Sequence, residues 1–304
     1  MNKVTILGSI NLDTTLRMNQ LPKPGETVHS YEAFSNGGGK GANQAIAARR
    51  NRAETSFIGA VGNDEAGKLL VDLLSQDGVD ISGIRILEKE KTGSAIVMVD
   101  DQAENSIVIH SGANHQIVIE KTEQIVRFLE KSDFLISQFE INLEAITKAF
   151  ELAKGLGVKT ILNPAPAMKN IPETLLLNTD IFIPNKSEAE MITGIDIKGE
   201  QELYQASKKI QDLGAELVII TLGNKGSYFL KGTKTGRVPA RVVKPVDTTA
   251  AGDTFIGALA AVLKKDYSNL KEAIEYATCA SALAVQRFGA QSSIPYADEV
   301  TQSM

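Results

Sequence analysis

Short runs of aliphatic and β-branched residues alternate with amphipathic stretches along most of this chain, and that alternation limits its fold more than any other feature. The runs at 4–6, 55–58, 134–136, 160–162, 181–183 and 217–221 are dominated by apolar residues, as in strands buried on both faces. Between them, apolar spacing predicts helices over 41–50, 65–76, 116–131, 143–154, 188–193, 200–213, 252–264 and 270–285. Strands alternating with helices through short connections imply a three-layer α/β fold, with a mostly parallel central sheet covered by helices on both sides. Two stretches break the rhythm. Residues 11–18 and 28–34 alternate apolar and polar residues around a turn at 21–25, and 94–99 with 106–110 do so around 100–105. We expect two inserted hairpins that pair into a small antiparallel β lid, about 11–35 and 94–111, over the carboxyl ends of the parallel strands. No repeat, low-complexity tract or linker interrupts the chain, so 1–304 reads as one domain.

Composition narrows the function classes. With 304 residues, 43% hydrophobic content and a net charge of -5 from 32 basic and 37 acidic residues, the chain has the makings of a packed core and none of the marks of disorder. A pI near 5.4 gives no basic footprint for nucleic acid. The one basic cluster, Arg49-Arg50-Asn51-Arg52, closes an alanine-rich helix and reads as a solvated helix C-terminus. The lack of Trp argues against a stacking platform for single strands. A single cysteine, Cys279, lies in an apolar run far in sequence from His29, His110 and His115, and is expected to be a buried thiol. No apolar stretch is long enough to span a membrane. The apolar run at 4–10 meets Asn11 and Asp13 at once, as a first strand does and a signal peptide does not. These features predict a cytosolic protein.

In doubly wound sheets, ligands sit beyond the carboxyl ends of the strands. Those ends carry Gly8-Ser9-Ile10-Asn11-Leu12-Asp13, Gln138-Phe139-Glu140, Pro184-Asn185-Lys186-Ser187-Glu188 and Leu222-Gly223-Asn224-Lys225-Gly226. Any one of these is compatible with a cap or turn; four on one rim favour a polar small-molecule site. The densest glycine run, Asn36-Gly37-Gly38-Gly39-Lys40-Gly41-Ala42-Asn43, opens a helix. The Walker pattern fails there, because Gly41 follows the lysine and Phe34 stands at the first glycine. The dinucleotide pattern fails because Gln44 stands at its third glycine. What remains is a flexible glycine loop with Lys40 and Asn43 as donors, or a plain turn. Farther on, Asp247-Thr248-Thr249-Ala250-Ala251-Gly252-Asp253-Thr254-Phe255 runs into another alanine-rich helix. Small side chains leave the N–H groups of Ala250, Ala251, Gly252 and Asp253 bare, an anion hole for a phosphoryl group. Asp253 either complements the helix dipole or accepts a proton from an attacking hydroxyl.

Together these two glycine-containing segments resemble the two signatures of the ribokinase-like (PfkB-type) sugar kinase family. The resemblance extends through Pro22-Lys23-Pro24-Gly25-Glu26-Thr27, Asn163-Pro164-Ala165-Pro166, Pro184-Asn185, Thr221-Leu222-Gly223 and Gly289-Ala290-Gln291. It implies ATP-dependent phosphorylation of D-ribose at O5, with 2-deoxyribose or fructose as alternative substrates and a non-catalytic binding protein as the contrasting reading. It further implies that Asp253 is the base, that Ala250, Ala251 and Gly252 form the anion hole, and that Asn11, Asp13, Gly39, Lys40, Gly41, Asn43 and Glu140 hold the sugar. Asn185, Thr221, Gly223, Lys225, Gly226 and Gly252 would line the nucleotide. Asn185 and Glu188, the family's N-x-x-E element, would order Mg2+ on the triphosphate. An activating K+ would be bound by Asp247, Thr249, Ala284, Arg287, Gly289 and Ser293, and two copies would pair through the lid. Ile256 stands where many such kinases carry Asn, and we read it as a packing residue.

Overall fold

The computed structural model describes residues 1–102, 104–119 and 122–304. Parts of the expected turn at 100–105 and of the expected helix at 116–131 therefore lie outside the described residues. β1 (Lys3–Leu7) leads into a hairpin of β2 (Asn11–Met18) and β3 (Ser30–Gly38), followed by α1 (Lys40–Arg50), β4 (Glu54–Gly62), α2 (Glu65–Gln76) and β5 (Asp80–Leu87). A second hairpin, β6 (Gly93–Val99) and β7 (Asn105–His110), comes next. Then follow α3 (Thr122–Leu129), β8 (Phe134–Gln138), α4 (Leu143–Gly155), β9 (Lys159–Asn163), α5 (Glu173–Leu177), β10 (Ile181–Phe182), α6 (Lys186–Thr193), α7 (Glu200–Asp212) and β11 (Leu217–Thr221). The chain closes with β12 (Ser227–Lys231), β13 (Lys234–Val238), α8 (Ala251–Val262), α9 (Leu270–Ala284) and α10 (Ala297–Ser303).

Nine strands form the large sheet in the order β13-β12-β11-β10-β9-β8-β1-β4-β5. It is parallel from β11 to β5, with β12 and β13 added antiparallel at one edge. Successive side chains of a strand face opposite sides, and here both sides are core. Val4 and Ile6, Phe134 and Ile136, and Leu217 and Ile219 pack with α1, α8 and α9. Their neighbours Leu7, Leu135, Val218 and Ile220 pack with α4 and α7. That is the expected three-layer arrangement.

The small sheet has the order β3-β2-β6-β7. Each hairpin is antiparallel, as expected. The seam between the hairpins is parallel, from Asn11 opposite Gly93 to Arg17 opposite Val99. The seam takes that direction because both strands start from the same rim of the large sheet.

Some elements were not legible. β5 is an edge strand with mixed exposure and no uninterrupted apolar run; β12–β13 is a short hairpin turning on Gly232 at φ 59°, and its one apolar run, Tyr228-Phe229-Leu230, was not read as a strand. Gln116 lies in a 3-10 turn, Gly112–Gln116, outside any α-helix. Cys279 is buried as expected, its Sγ facing the Val300 carbonyl. Among the described residues, no helix is long and apolar enough to cross a membrane.

The basic cluster closes the helix as expected, and Arg52 stays 65% exposed, but Arg50 departs from its expected solvated state. Arg50 forks onto Asp77 at 2.8 and 3.0 Å and donates to the carbonyls of Gln291 and Ile294 at 2.7 and 2.8 Å. Its side chain and that of Asp77 are each 13% exposed. Arg49 caps the Gly78 carbonyl, and Arg52 pairs with Asp298. A guanidinium suits this use because its fixed fork can serve a carboxylate and two carbonyls at once. Arg50→Ala should cost about 3 kcal/mol, since it strands Asp77 and two carbonyls together; urea unfolding measures it.

Candidate active site

The rim is assembled by close backbone approach. Gly37 and Gly38 are the last residues of β3, paired with Leu12 and Asn11, so the glycine run is strand and not the flexible loop expected. The chain turns only at Gly39, with φ 86°. A Cβ on Gly39 would stand 2.8 Å from the Asn11 nitrogen, and one on Gly41 would stand 2.5 Å from the Ser9 nitrogen. Glycine at both positions lets the start of α1 lie against the 8–11 segment. At the other end, a Cβ on Gly257 would stand 2.5 Å from the Ala47 Cβ, so α1 and α8 cross in contact. That crossing carries Asn43 and Gln44 to Asp253. Asn43 Nδ2 donates to Asp253 Oδ2 at 3.0 Å, and Gln44 Nε2 donates to Asp253 Oδ1 at 2.9 Å. Asp253 is 7% exposed.

Asp13, Glu140, Lys40 and Asp253 lie within electrostatic reach of one another. Burial pushes the Asp13 carboxyl up to about 7, the charges of Glu140 and Asp253 push the same way, and Lys40 opposes them. Asp13 Oδ1 is buried without a partner, as an acceptor awaiting a donor would be. Glu140 Oε2 accepts from Ser9 Oγ at 2.5 Å and from the Lys40 N–H at 3.0 Å. Asp253 raises the Lys40 ammonium more than burial lowers it, with further support from Glu140, Glu188 and Asp13. Asn11 Oδ1 is taken by Asn114 Nδ2 at 2.8 Å, which leaves Asn11 its own Nδ2 to offer. Asn114 also exchanges hydrogen bonds with the backbone of Ile10. Nothing in its sequence surroundings, a 3-10 turn far from the motifs, announced this clamp. Asn43 Oδ1 is a further buried, unpartnered acceptor.

The start of α8 has no side-chain cap. Ala250 adopts the left-handed conformation at φ 58°, which costs an L-residue about 1 kcal/mol or more. The first helical bond closes from Thr254 to Ala250, so the N–H groups of Gly252 and Asp253 have no intrahelical acceptor. A Cβ on Gly252 would meet no atom within 4 Å. The space above the turn is a cavity of about 200 Å³ whose lining includes Lys40, Glu188, Ala250, Gly252 and Asp253. A second, more apolar cavity of about 300 Å³ has Gly223, Gly226, Val243, Phe255 and Val285 in its wall. The two share Thr221, Thr248, Ala251 and Gly252 as wall residues. Lys225 is exposed and is not a wall residue; Asn224 is. Ile256 is 2% exposed and packed in the core, as expected, and it also lines the smaller cavity.

Asn185 and Glu188 close on each other as a capping box at the start of α6, with Asn185 Nδ2 donating to Glu188 Oε1 at 2.7 Å. Burial lifts the Glu188 carboxyl above its ordinary value against the Asn185 hydrogen bond and the Lys40 charge. Both residues line the smaller cavity, but Asn185 Oδ1 accepts from the Glu188 N–H and Ser187 Oγ at 2.9 Å each, so this carboxylate and carboxamide suit a magnesium ion held mainly by phosphate and water once the cap's hydrogen bonds yield to it. Among the described residues, no group of three or more His, Cys, Asp or Glu is placed to hold a metal. Asp247 binds the Thr249 N–H at 2.9 Å and the Gly289 N–H at 2.9 Å. Burial works against its charge, but these hydrogen bonds outweigh burial and hold the carboxyl below its ordinary value. The 246–247 segment also binds the Val285 carbonyl. Asp247, Thr249, Arg287 and Gly289 are thus brought together beside the α8 turn; Ala284 ends α9 next to them, and Ser293 is buried in the following 3-10 turn. Their carboxylate, hydroxyl and carbonyl oxygens are the donor set a hard monovalent cation takes.

A buried carboxylate in the first turn of an uncapped helix, with a polar cavity on one side and an apolar one on the other, defines a phosphotransferase of the three-layer α/β class. The chain matches the family described as pfkB family carbohydrate kinase over residues 1–297, and it belongs to that family. It is 42% identical over 302 residues to a ribokinase of Staphylococcus aureus, covering 99% of both chains. It is 44% identical over 297 residues to a bifunctional ribokinase/ribose-5-phosphate isomerase A of Fructilactobacillus sanfranciscensis, covering 97% of this chain but only 55% of that relative. The structure of an Arabidopsis thaliana ribokinase complexed with ribose and ATP superposes with a TM-score of 0.93 at 32% identity, over 99% of this chain and 98% of that one.

Proposed function

We propose that this chain transfers the γ-phosphoryl group of ATP to O5 of D-ribose, giving D-ribose 5-phosphate and ADP. The observation that carries the reading is the shared wall: Asp253 and the uncapped turn open into a polar cavity that meets the apolar one at Thr221, Thr248, Ala251 and Gly252. A triphosphate laid across that wall has its base in the apolar cavity and its γ-phosphorus beside Asp253. Asp13 and Glu140 accept hydrogen bonds from the sugar, as suits a ligand whose every hydroxyl can donate. Asn11 and Lys40 supply the complementary donors, Asn43, whose Nδ2 is on Asp253, offers its unpartnered Oδ1, and Gly39 exposes backbone to the same ligand. Gly41, buried under Ser9, contributes by letting α1 approach. Asp253 takes the proton of the primary hydroxyl as its oxygen bonds to phosphorus and the bond to ADP breaks. Of the expected anion hole, the N–H groups of Ala250 and Gly252 face the charge that builds on the phosphoryl oxygens, joined by that of Asp253, whereas the Ala251 N–H already donates to the Thr248 carbonyl at 3.3 Å and has to leave it to take part. Thr221, Gly223, Gly226 and the more exposed Lys225 hold the nucleotide.

Asn185 and Glu188 would hold magnesium, and Asp247, Thr249, Ala284, Arg287, Gly289 and Ser293 would hold potassium; when bound, the two cations offset phosphate charge that a chain of net charge -5 cannot. The domain reading extends to 1–304 as one unit, with the small sheet as a lid that keeps water from the γ-phosphorus. Use of ATP fits a cytosolic site of action. Two copies would pair through the small sheet, whose β6 and β7 leave Ile96, Ile107, Val108 and Ile109 between 44% and 58% exposed beside an unpaired edge.

An ADP-release assay over D-ribose, 2-deoxyribose and D-fructose, with the phosphate located by NMR, tests the function. D-ribose should give the highest kcat/KM and a 5-phosphate. Preference for another sugar would reassign the substrate, and turnover of none would leave a binding protein.

Asp13 adds a pH signature. Its carboxyl is lifted from 3.8 to about 7, so the folded state binds the proton more tightly than the unfolded state. The stability this group contributes is full below about pH 4 and is lost as pH rises to about 7. Sugar hydroxyls favour the ionised form, so D-ribose should bind more tightly as pH rises across the same window. Calorimetric titration should show that trend in the parent, and a flat profile in Asp13→Asn.

A further inference from the structure

Gln44 has no part in the roles above, yet it is 0% exposed and sits at the centre of the rim's hydrogen bonding. A buried carboxamide has a direction, one end donating and the other accepting. Gln138 Nε2 donates to Gln44 Oε1 at 2.6 Å. That commits Gln44 Nε2 to Asp253 Oδ1 at 2.9 Å and to Asn163 Oδ1 at 3.2 Å. Asn163 is itself committed, because its Nδ2 donates to the Ile183 carbonyl at 3.2 Å. Turned the other way round, Gln44 would set its oxygen against the Asp253 carboxylate and its NH2 against that of Gln138. The ends of β8 and β9 therefore hold the amide in one orientation. The relay stops at Gln138 Oε1, which is buried without a partner. A fold rarely leaves such an atom bare unless the arrangement serves something else.

We propose that Gln44 is a positioning residue for phosphoryl transfer: it engages Asp253 Oδ1, so that Oδ2, which Asn43 also touches, is the oxygen that takes the hydroxyl proton. The proposal rests on Asp253 being the base. The proton passes from the sugar hydroxyl to Oδ2 while the new O–P bond forms and the bond to ADP breaks. Gln44 gives up nothing in the step. It keeps the carboxylate from rotating, and a misplacement of about 1 Å at such a centre costs on the order of 10²-fold.

The test compares Gln44→Met, which keeps the volume and removes the donor, with Gln44→Glu, which places a second carboxyl against Asp253. Steady-state rates on D-ribose are measured from pH 5.5 to 9, with thermal unfolding and ATP binding alongside. Gln44→Met should lower kcat roughly 10- to 100-fold with the KM for ATP within about twofold. Gln44→Glu should move the acidic limb of kcat upward by about one pH unit or more, because two carboxyls at that distance share a proton. Gln138→Met, which releases the relay but leaves Gln44 in place, should lower kcat less than Gln44→Met, and it serves if either Gln44 variant fails to fold. Parental kcat and an unshifted limb in the folded variants, whatever happens to their melting temperature, would reduce Gln44 to a packing residue. Asp253→Asn run in parallel separates the two readings: parental turnover in that variant removes the base assignment itself.

Discussion

Asp253→Asn should lower kcat by about 10²- to 10⁴-fold, the range general-base catalysis supplies. It should leave the melting temperature close to the parent's. The change removes a charge and keeps the shape. The new carboxamide oxygen can still accept from Gln44 Nε2, which now donates to Oδ1 at 2.9 Å. Its new NH2 would face Asn43 Nδ2, but Asn43 Oδ1 has no partner, so that amide can turn over and accept. The Lys40 ammonium loses the largest of the charges that raise it and retains Glu140, Glu188 and Asp13. Sugar affinity should therefore change by only a few-fold. Rates from ADP release and binding by calorimetry separate the two quantities. A variant that turns over at the parental rate would leave Asp253 with only its dipole-complementing part.

Gly252→Ala should have the opposite signature, a protein at least as stable with most activity gone. The residue is helical, its φ is not positive, and an added Cβ meets no protein atom within 4 Å. Replacing Gly by Ala in a helix stabilises by up to about 1 kcal/mol. The new methyl would nevertheless stand in the space where the N–H groups of the turn meet a phosphoryl oxygen. Contact there is needed at hydrogen-bond distance, so kcat/KM for ATP should fall by about 10²-fold or more. A rise in melting temperature with unchanged kcat/KM would show that nothing binds over this turn. Gly41→Ala should behave in reverse, because its Cβ would press on the Ser9 nitrogen at 2.5 Å and the loss would be one of fold.

The contrast between Gly252 and Gly41 marks how far the motifs could be read. Both stand in glycine-containing segments that open alanine-rich helices, and both were expected at a ligand. One glycine faces open space and the other faces protein. Spacing along a chain cannot distinguish these, because the difference lies in what arrives from elsewhere, here the 8–9 segment after β1. Arg50, within the Arg49–Arg52 cluster, was misread for the same reason. Its charge is plain in sequence, but Asp77 and the carbonyls of Gln291 and Ile294 reach Arg50 only through the packing of distant segments. Gln44 and Asn114 were missed as site residues because no motif marks them, and the groups that give them a role, Asp253 for Gln44 and Asn11 for Asn114, reach them only through packing.

Strand–helix alternation was enough to establish the three layers, since runs dominated by apolar residues, without a polar alternate face, require core on both faces of a sheet. Polar residues after those runs were enough to locate the rim, because a doubly wound sheet places its strand ends together. The two helix openings, with their small residues and single carboxylate, pointed to phosphoryl transfer. Tertiary structure decided what those residues do to one another. It turned the seam between the hairpins parallel and extended β3 through Gly38. It lifted Asp13 to about 7 through burial and two neighbouring carboxylates, and it set Gln44 and Asn43 on the two oxygens of Asp253. Those properties depend on burial, on direction and on charges brought close from far along the chain. The contacts on Asp253 exist only once α1 and α8 have crossed.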